Sequence, residues 1–302
     1  MSVWVCGEAL MDVLPEGAVV GGGPANTAKA LARLGRSVEF IGGISRDHYG
    51  DQIAEELRNA EVGNLFTHVS DMPTATAQVT LDEKGSAAYI FRIDKTATFD
   101  FSRDWLPDPS RSKIEVLHIG SLATIVQPSS QTLYEWAITV AEFAPVVFDP
   151  NVRTSYLSDR LRYVAGVERW ISISTLVKAS DDDLAWLYPD LDLLSAAKRW
   201  IDAGVEIVVI TRGPKGLLAV SANEIIEVPG IAVAVIDTVG AGDTVGAVIL
   251  DAILEHGIVN LRGDLLRDAL NCAALAAAIT CSRAGAQPPT KQEIQAKEKN
   301  RA

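Results

Sequence analysis

The chain has 302 residues, 48% of them apolar and spread along its length, which suits one large domain with a small appendage rather than a disulfide-stapled module. Acidic residues outnumber basic ones by 39 to 27, and no Lys/Arg cluster gathers the charge that holds a polynucleotide, so composition argues against a nucleic-acid partner. Cys6, Cys272 and Cys281 stand in apolar surroundings with no CxxC pair and no zinc-spaced histidine, and are expected to be buried reduced thiols.

The opening MSVWVCGEALMDVL has no basic leader and is broken by Glu8 and Asp12, so it is not read as a signal peptide. Its VWVC (3–6) is the first of several short β-branched runs, followed by VEFIG (38–42), VLHIG (116–120), VVFD (146–149) and EIVVIT (206–211). Helix-length segments separate them, and the alternation predicts an α/β fold: a doubly wound, mainly parallel sheet flanked by helices. PANTAKALARLG (24–35) predicts a helix that opens on Pro24 and closes on a left-handed Gly35. Residues 74–93 break the rhythm with two alternating runs around a turn signal at 82–85, and predict a β appendage that is either an active-site lid or an edge hairpin. The apolar stretch 269–281 falls short of the ~20 residues a bilayer requires, so a cytoplasmic chain without a membrane partner is expected. KQEIQAKEKNRA (291–302) predicts a polar terminal helix.

The chemistry concentrates in VIDTVGAGDTVGAVILDAIL (235–254), where a strand end passes through glycines into a long apolar helix. Gly240 and Gly242 let several N–H groups turn toward one point, and the helix start adds its dipole, which together make an anion site. It is neither a GxxxxGK[ST] nor a GxGxxG phosphate loop. Asp243 sits inside this anion site, where a carboxylate repels the ligand unless it has a task. It either caps the helix or accepts a hydroxyl proton in phosphoryl transfer, remaining ionised at the helix start. Near the other end, Asp12, Gly22, Gly23 and Asn26 fall after the first strand and before the first helix, where ligands collect in open α/β sheets. An acceptor and an amide there suit vicinal hydroxyls, while each of these residues taken alone fits a turn or cap better.

GGGPANTAKALARLG (21–35) and DTVGAGDT (237–244) resemble the two signatures of the PfkB, or ribokinase-like, carbohydrate kinases. With GEALMD (7–12), DPNVR (149–153) and TRGPKG (211–216), the similarity runs over nearly the whole chain and is greatest to bacterial fructokinases. The resemblance implies a single ribokinase-like domain over 1–302 with a β lid formed mainly by about 74–98. It implies ATP-dependent transfer to a hexose hydroxyl, fructose to fructose 6-phosphate, with ATP and magnesium as cofactors. Asp243 would be the base beside the phosphate turn of Gly240, Ala241 and Gly242. Asp12, Gly22, Gly23, Asn26 and Arg153 would hold the sugar, Arg153 having a surface salt bridge as its alternative. Ser180, Thr211, Gly213, Gly216 and Gly242 would line the ATP site, with Asp183 reaching magnesium through water. A homodimer through the lid is the protein partner the resemblance allows.

Several positions depart from the family pattern. SDDD (180–183) replaces the usual Asn-x-x-Glu, which is why Ser180 and Asp183 are taken as substitutes. Pro289 stands where cation-binding members carry Ser, leaving potassium at Asp237 and the 284–286 turn open, and Val245 replaces a frequent Phe. In the lid stretch FRIDKTA (91–97), Arg92 and Lys95 are either solvated charges or partners for an acidic sugar. The rivals are therefore a 2-keto-3-deoxygluconate kinase and a non-catalytic sugar-binding member of the family.

Overall fold

Short runs of Val, Ile and Leu can be buried on both faces only if helices cover both sides of their sheet, and that is how this chain folds. The computed structural model describes residues 2–15, 17–81 and 87–299, with the side chains of 79–81 and 87–89 left aside. Six strands of the main sheet are parallel, in the spatial order Ile207–Thr211, Leu176–Ser180, Val146–Asp149, Ile114–Gly120, Ser2–Cys6, Val38–Ile41. Leu217–Ser221 and Ile225–Val228 extend one edge antiparallel, completing eight strands. The five runs expected from sequence are all present. Leu176–Ser180 and the two antiparallel strands were not foreseen.

The period of two sorts each strand between two cores. Along Ser2–Cys6, Val3 and Val5 join a layer with Leu31, Ile249 and Leu270, while Trp4 and Cys6 join Phe148, Trp170 and Trp200 on the other side. The expected first helix spans Gly23–Arg33 with proline in its first turn, and Gly35 takes the left-handed φ of +86° just beyond it. It packs against Ala241–His256, which in turn packs against Gly263–Cys281.

The 74–93 hairpin does not extend the main sheet. Its strands Thr76–Leu81 and Ala87–Arg92 join Leu10–Leu14 and Gly17–Gly21 in a separate four-stranded sheet. The hairpin forms the outer half of that sheet, and the appendage draws its other two strands from the first 21 residues. The 82–85 turn lies outside the described residues, as do 300–302 beyond the terminal helix Lys291–Lys299. Among the described residues no helix is long and apolar enough to cross a membrane. Cys6 is buried and unbridged as expected, but Cys272 and Cys281 are half-buried, because they sit on a helix only part of whose surface is covered.

Six parallel strands end on the same side of the sheet, so the segments that follow them meet there. Glu8, Ser121, Arg153, Asp183 and Gly213 are carried to one rim in this way, and the small sheet brings Asp12 over it.

Candidate active site

At that rim lies a cavity of about 400 Å³. Asp12, Gly22, Gly23, Asn26 and Arg153, the residues expected to hold a sugar, all line it. So do Gly240, Gly242 and Asp243 of the glycine turn, and Ser180, Asp183 and Thr211. A second cavity of about 470 Å³ takes in Thr211, Gly213, Gly216, Ala241 and Gly242, with the apolar loop 231–235 and the end of helix Gly263–Cys281 forming its far wall. The two cavities share Thr211, Thr238 and Gly242, so the turn at the head of Ala241–His256 is the partition between them.

That turn is shaped by glycine chemistry. Gly240 is the N-cap with φ +77°, and an added Cβ would lie 2.7 Å from the Cβ of Ala286. Asp237 braces the approach: its Oδ1 accepts the Val239 N–H at 3.0 Å and its Oδ2 the Gly285 N–H at 2.8 Å. Among the described residues no side chain caps the helix; the Ala241 N–H donates to the Thr238 carbonyl at 3.3 Å, which leaves the Gly242 and Asp243 N–H groups for an anion, and Asp243 is not a cap.

Asp243 is instead a buried group held across the cavity, its Oδ2 accepting a hydrogen bond from Asn26 Nδ2 at 3.0 Å. Burial raises its pKa above the ordinary aspartate value, against the lowering effects of the Lys178 charge and the Asn26 hydrogen bond. Burial is the largest influence on its ionisation, one that the position at a helix start does not reveal. The upward shift makes Asp243 a stronger base than an exposed aspartate.

Beneath the turn lies an ion pair that sequence reasoning missed: Lys178 Nζ is 2.7 Å from Asp149 Oδ2, with both side chains about 6% exposed. A Cβ on Gly242 would lie 3.2 Å from Lys178 Nζ, so the ammonium sits directly against the glycine turn. Burial alone would lower the lysine pKa, but Asp149 and Asp243 outweigh it and hold the side chain charged. His118, two strands away on Ile114–Gly120, is driven down to about 3 by burial and then by Lys178, and is therefore neutral. The signal was present in LVKAS, a single charge inside an otherwise apolar strand, which demands a buried partner.

Strained backbone marks the same rim. Ser121 (φ +55°) and Asn151 (φ +38°) are left-handed non-glycines just beyond adjacent strands. Gly23 allows the close approach, since a Cβ there would lie 2.9 Å from Asn151 Nδ2 and 3.3 Å from Asp243 Oδ1. Asn26 Oδ1, Ser121 Oγ and Asp149 Oδ1 are buried with no hydrogen-bond partner among the described residues, an unusual concentration for a folded interior.

The remaining expected residues differ in what they can offer. Asp12 has its pKa raised by burial, opposed by Arg153. Arg153 is half-buried and makes no ion pair among the described residues, so the surface salt-bridge alternative fails. Asp183 accepts the Ser180 N–H through Oδ2 and the Val152 N–H through Oδ1, both at 2.9 Å, and Ser180 Oγ accepts the Asp183 N–H in return. This capping box ties the 149–153 segment to a helix start and engages both carboxylate oxygens. Among the described residues no group of three or more His, Cys, Asp or Glu side chains is disposed to hold a metal. Arg92 and Lys95 are exposed and neither lines the cavity, whereas Phe91 does.

Glu8 was also missed as a site residue. It is buried at the cavity wall, its Oε2 accepts the Ala123 N–H at 3.2 Å, and burial pushes its pKa from 4.5 to about 7. Between those two values the folded chain binds the proton and the unfolded chain has released it, so stability falls as pH rises through that window. The shift corresponds to roughly 3 kcal/mol at 1.36 kcal/mol per unit. Urea unfolding of the wild type and Glu8→Gln at pH 4.5, 6 and 8 should show the wild type losing about that much relative to the variant. Parallel curves at all three pH values would mean that Glu8 ionises normally.

Comparison with known proteins accords with this geometry. Residues 16–293 match the model of the pfkB family carbohydrate kinases. A fructokinase of Rhizobium leguminosarum bv. trifolii is 34% identical over 268 residues, covering 85% of this chain and 81% of the relative. A fructokinase of Vibrio cholerae O395, solved with fructose, ADP and a calcium ion, superimposes with a TM-score of 0.87 at 28% identity over 98% of both chains. The same protein as a double mutant was solved with fructose, ADP and a potassium ion. A fructokinase of Xylella fastidiosa with bound ATP shares the fold at a TM-score of 0.91 and 23% identity, over 99% of this chain and 98% of that one. The mostly parallel sheet, the glycine turn with its buried aspartate and the match over 16–293 lead to one conclusion: this chain belongs to the pfkB family of carbohydrate kinases.

Proposed function

We propose that the protein is a cytoplasmic ATP-dependent fructokinase that phosphorylates the 6-hydroxyl of fructose. The observation that carries this reading is the convergence, in one cavity, of a buried carboxylate, a glycine anion turn and a hydroxyl-binding set of Asp12, Asn26 and Arg153. The relatives named as fructokinases supply the sugar. Fructose would lie against Asp12 and Arg153 with its primary hydroxyl facing Asp243. ATP would lie in the adjoining apolar cavity, its terminal phosphate on the N–H groups at the head of Ala241–His256. As the new O–P bond forms, the hydroxyl proton passes to Asp243 and the bond to the leaving oxygen of ADP breaks. Lys178 stands against the turn as a fixed positive charge facing the phosphates.

Magnesium enters as part of the MgATP substrate rather than in a cage of protein carboxylates. Asp183, with both oxygens holding N–H groups, would meet it only through water. Potassium would add to the bracing that Asp237 already provides between the glycine turn and residue 285. The small sheet, carrying Phe91 and Asp12 at the cavity mouth, would close as a lid and exclude water. Val19, half exposed on the face it shares with Asp12 and Phe91, would meet a second copy in a homodimer.

An ADP-release screen against fructose, other hexoses, 2-keto-3-deoxygluconate and nucleosides tests the assignment. Fructose should give the highest kcat/KM, and Arg92→Ala should leave it within about threefold, as expected for a solvated charge. Preference for the acidic sugar, lost in Arg92→Ala, would overturn the choice of sugar. No ADP with any acceptor would favour a non-catalytic member.

A further inference from the structure

We propose that Asn26 is a positioning residue for the base, holding one oxygen of Asp243 so that the other is presented to the acceptor hydroxyl. The inference rests on Asp243 acting as the base and adds to it a residue that sets its orientation. Asn26 lies in the first turn of Gly23–Arg33 and Asp243 in the first turn of Ala241–His256, two helices packed against each other with their N-termini at the cavity. The hydrogen bond from Asn26 Nδ2 to Asp243 Oδ2 is 3.0 Å long, and the two residues are 6% and 8% exposed. The amide orientation follows from chemistry, because the flipped amide would set its oxygen against a carboxylate.

The consequence is an asymmetric carboxylate. Oδ2 is held, whereas Oδ1 takes no hydrogen bond among the described residues and faces the glycine side of the cavity, 3.3 Å from where a Gly23 Cβ would lie. Proton uptake at Oδ1 leaves Oδ2 as a carbonyl-type acceptor, so the Asn26 bond persists from ground state to product. A free carboxylate would have to be fixed in the transition state, losing rotational freedom at that point. Asn26 Oδ1 is buried without a partner, which leaves it free to accept from a sugar hydroxyl while Nδ2 is committed to Asp243.

Two variants separate this role from ordinary sugar binding. Asn26→Ala should lower kcat by about 10- to 100-fold, a loss of turnover beyond the rise in fructose KM that losing the Asn26 hydroxyl contact brings. Asn26→Asp places a second carboxyl against the first, and the pair shares one proton. While that proton is held, the new carboxyl donates to Oδ2 as the amide did, so activity at pH 6 should return to within about tenfold of the wild type. Above the shared pKa it should fall about tenfold per pH unit, an alkaline limb that the wild type lacks. Circular dichroism and calorimetric ATP binding on both variants establish that they are folded. If only the alanine variant folds, its split between kcat and KM decides alone. A raised KM with wild-type kcat in the alanine variant, or no alkaline limb in a folded aspartate variant, would overturn the proposal. Absence of ADP release by the wild type would instead overturn the kinase reading on which it rests.

Discussion

Asp243→Asn is expected to abolish turnover while leaving ATP and fructose binding nearly intact. The amide keeps the shape of the carboxylate, and by rotating it can still accept the Asn26 hydrogen bond. What it lacks is basicity, and loss of a positioned general base typically costs about 10²–10⁴ in kcat. A purely repulsive or structural role predicts otherwise. Removing a buried negative charge from an anion turn should then leave turnover unchanged or improve the KM for ATP. Coupled ADP-release kinetics, with calorimetry for nucleotide affinity, distinguish the two, and a variant with near wild-type kcat would remove the base assignment.

The second large effect is expected at Lys178. Lys178→Met leaves Asp149 buried and uncompensated, with one of its oxygens already lacking a partner, and the loss should be about 3–5 kcal/mol of stability. It also removes the fixed positive charge beside Gly242, so kcat should fall even at temperatures where the variant stays folded. The double variant Lys178→Met with Asp149→Leu no longer buries a lone charge and should regain much of the stability, since an apolar pair can replace a buried ion pair. It should not regain activity. Urea unfolding and steady-state kinetics on both variants check this, and recovery of both stability and turnover in the double variant would reduce the pair to a structural role.

Both predictions concern groups whose effect comes from being dry. The glycine turn alone would bind anions weakly in water. Between a buried lysine and a buried aspartate it becomes a site where charge can be moved without solvent rearranging around it. The same dryness raises the pKa values of Asp243 and Glu8.

Sequence by itself was sufficient for whatever depends on neighbours along the chain. β-branched runs separated by helix-length segments required a parallel sheet, Pro24 and Gly35 bounded a helix, and the glycine turn with its aspartate announced phosphate chemistry. Tertiary structure decided whatever depends on contacts between distant segments. It assigned the 74–93 hairpin to its own sheet with residues 10–21, paired Lys178 with Asp149, turned Asp183 inward as a capping residue and set Asn26 against Asp243, 217 positions apart. The physical reason is that backbone preference is local, whereas the partner of a charge or an amide, and the water it loses, are set by which helix starts and strand ends the sheet brings to one rim.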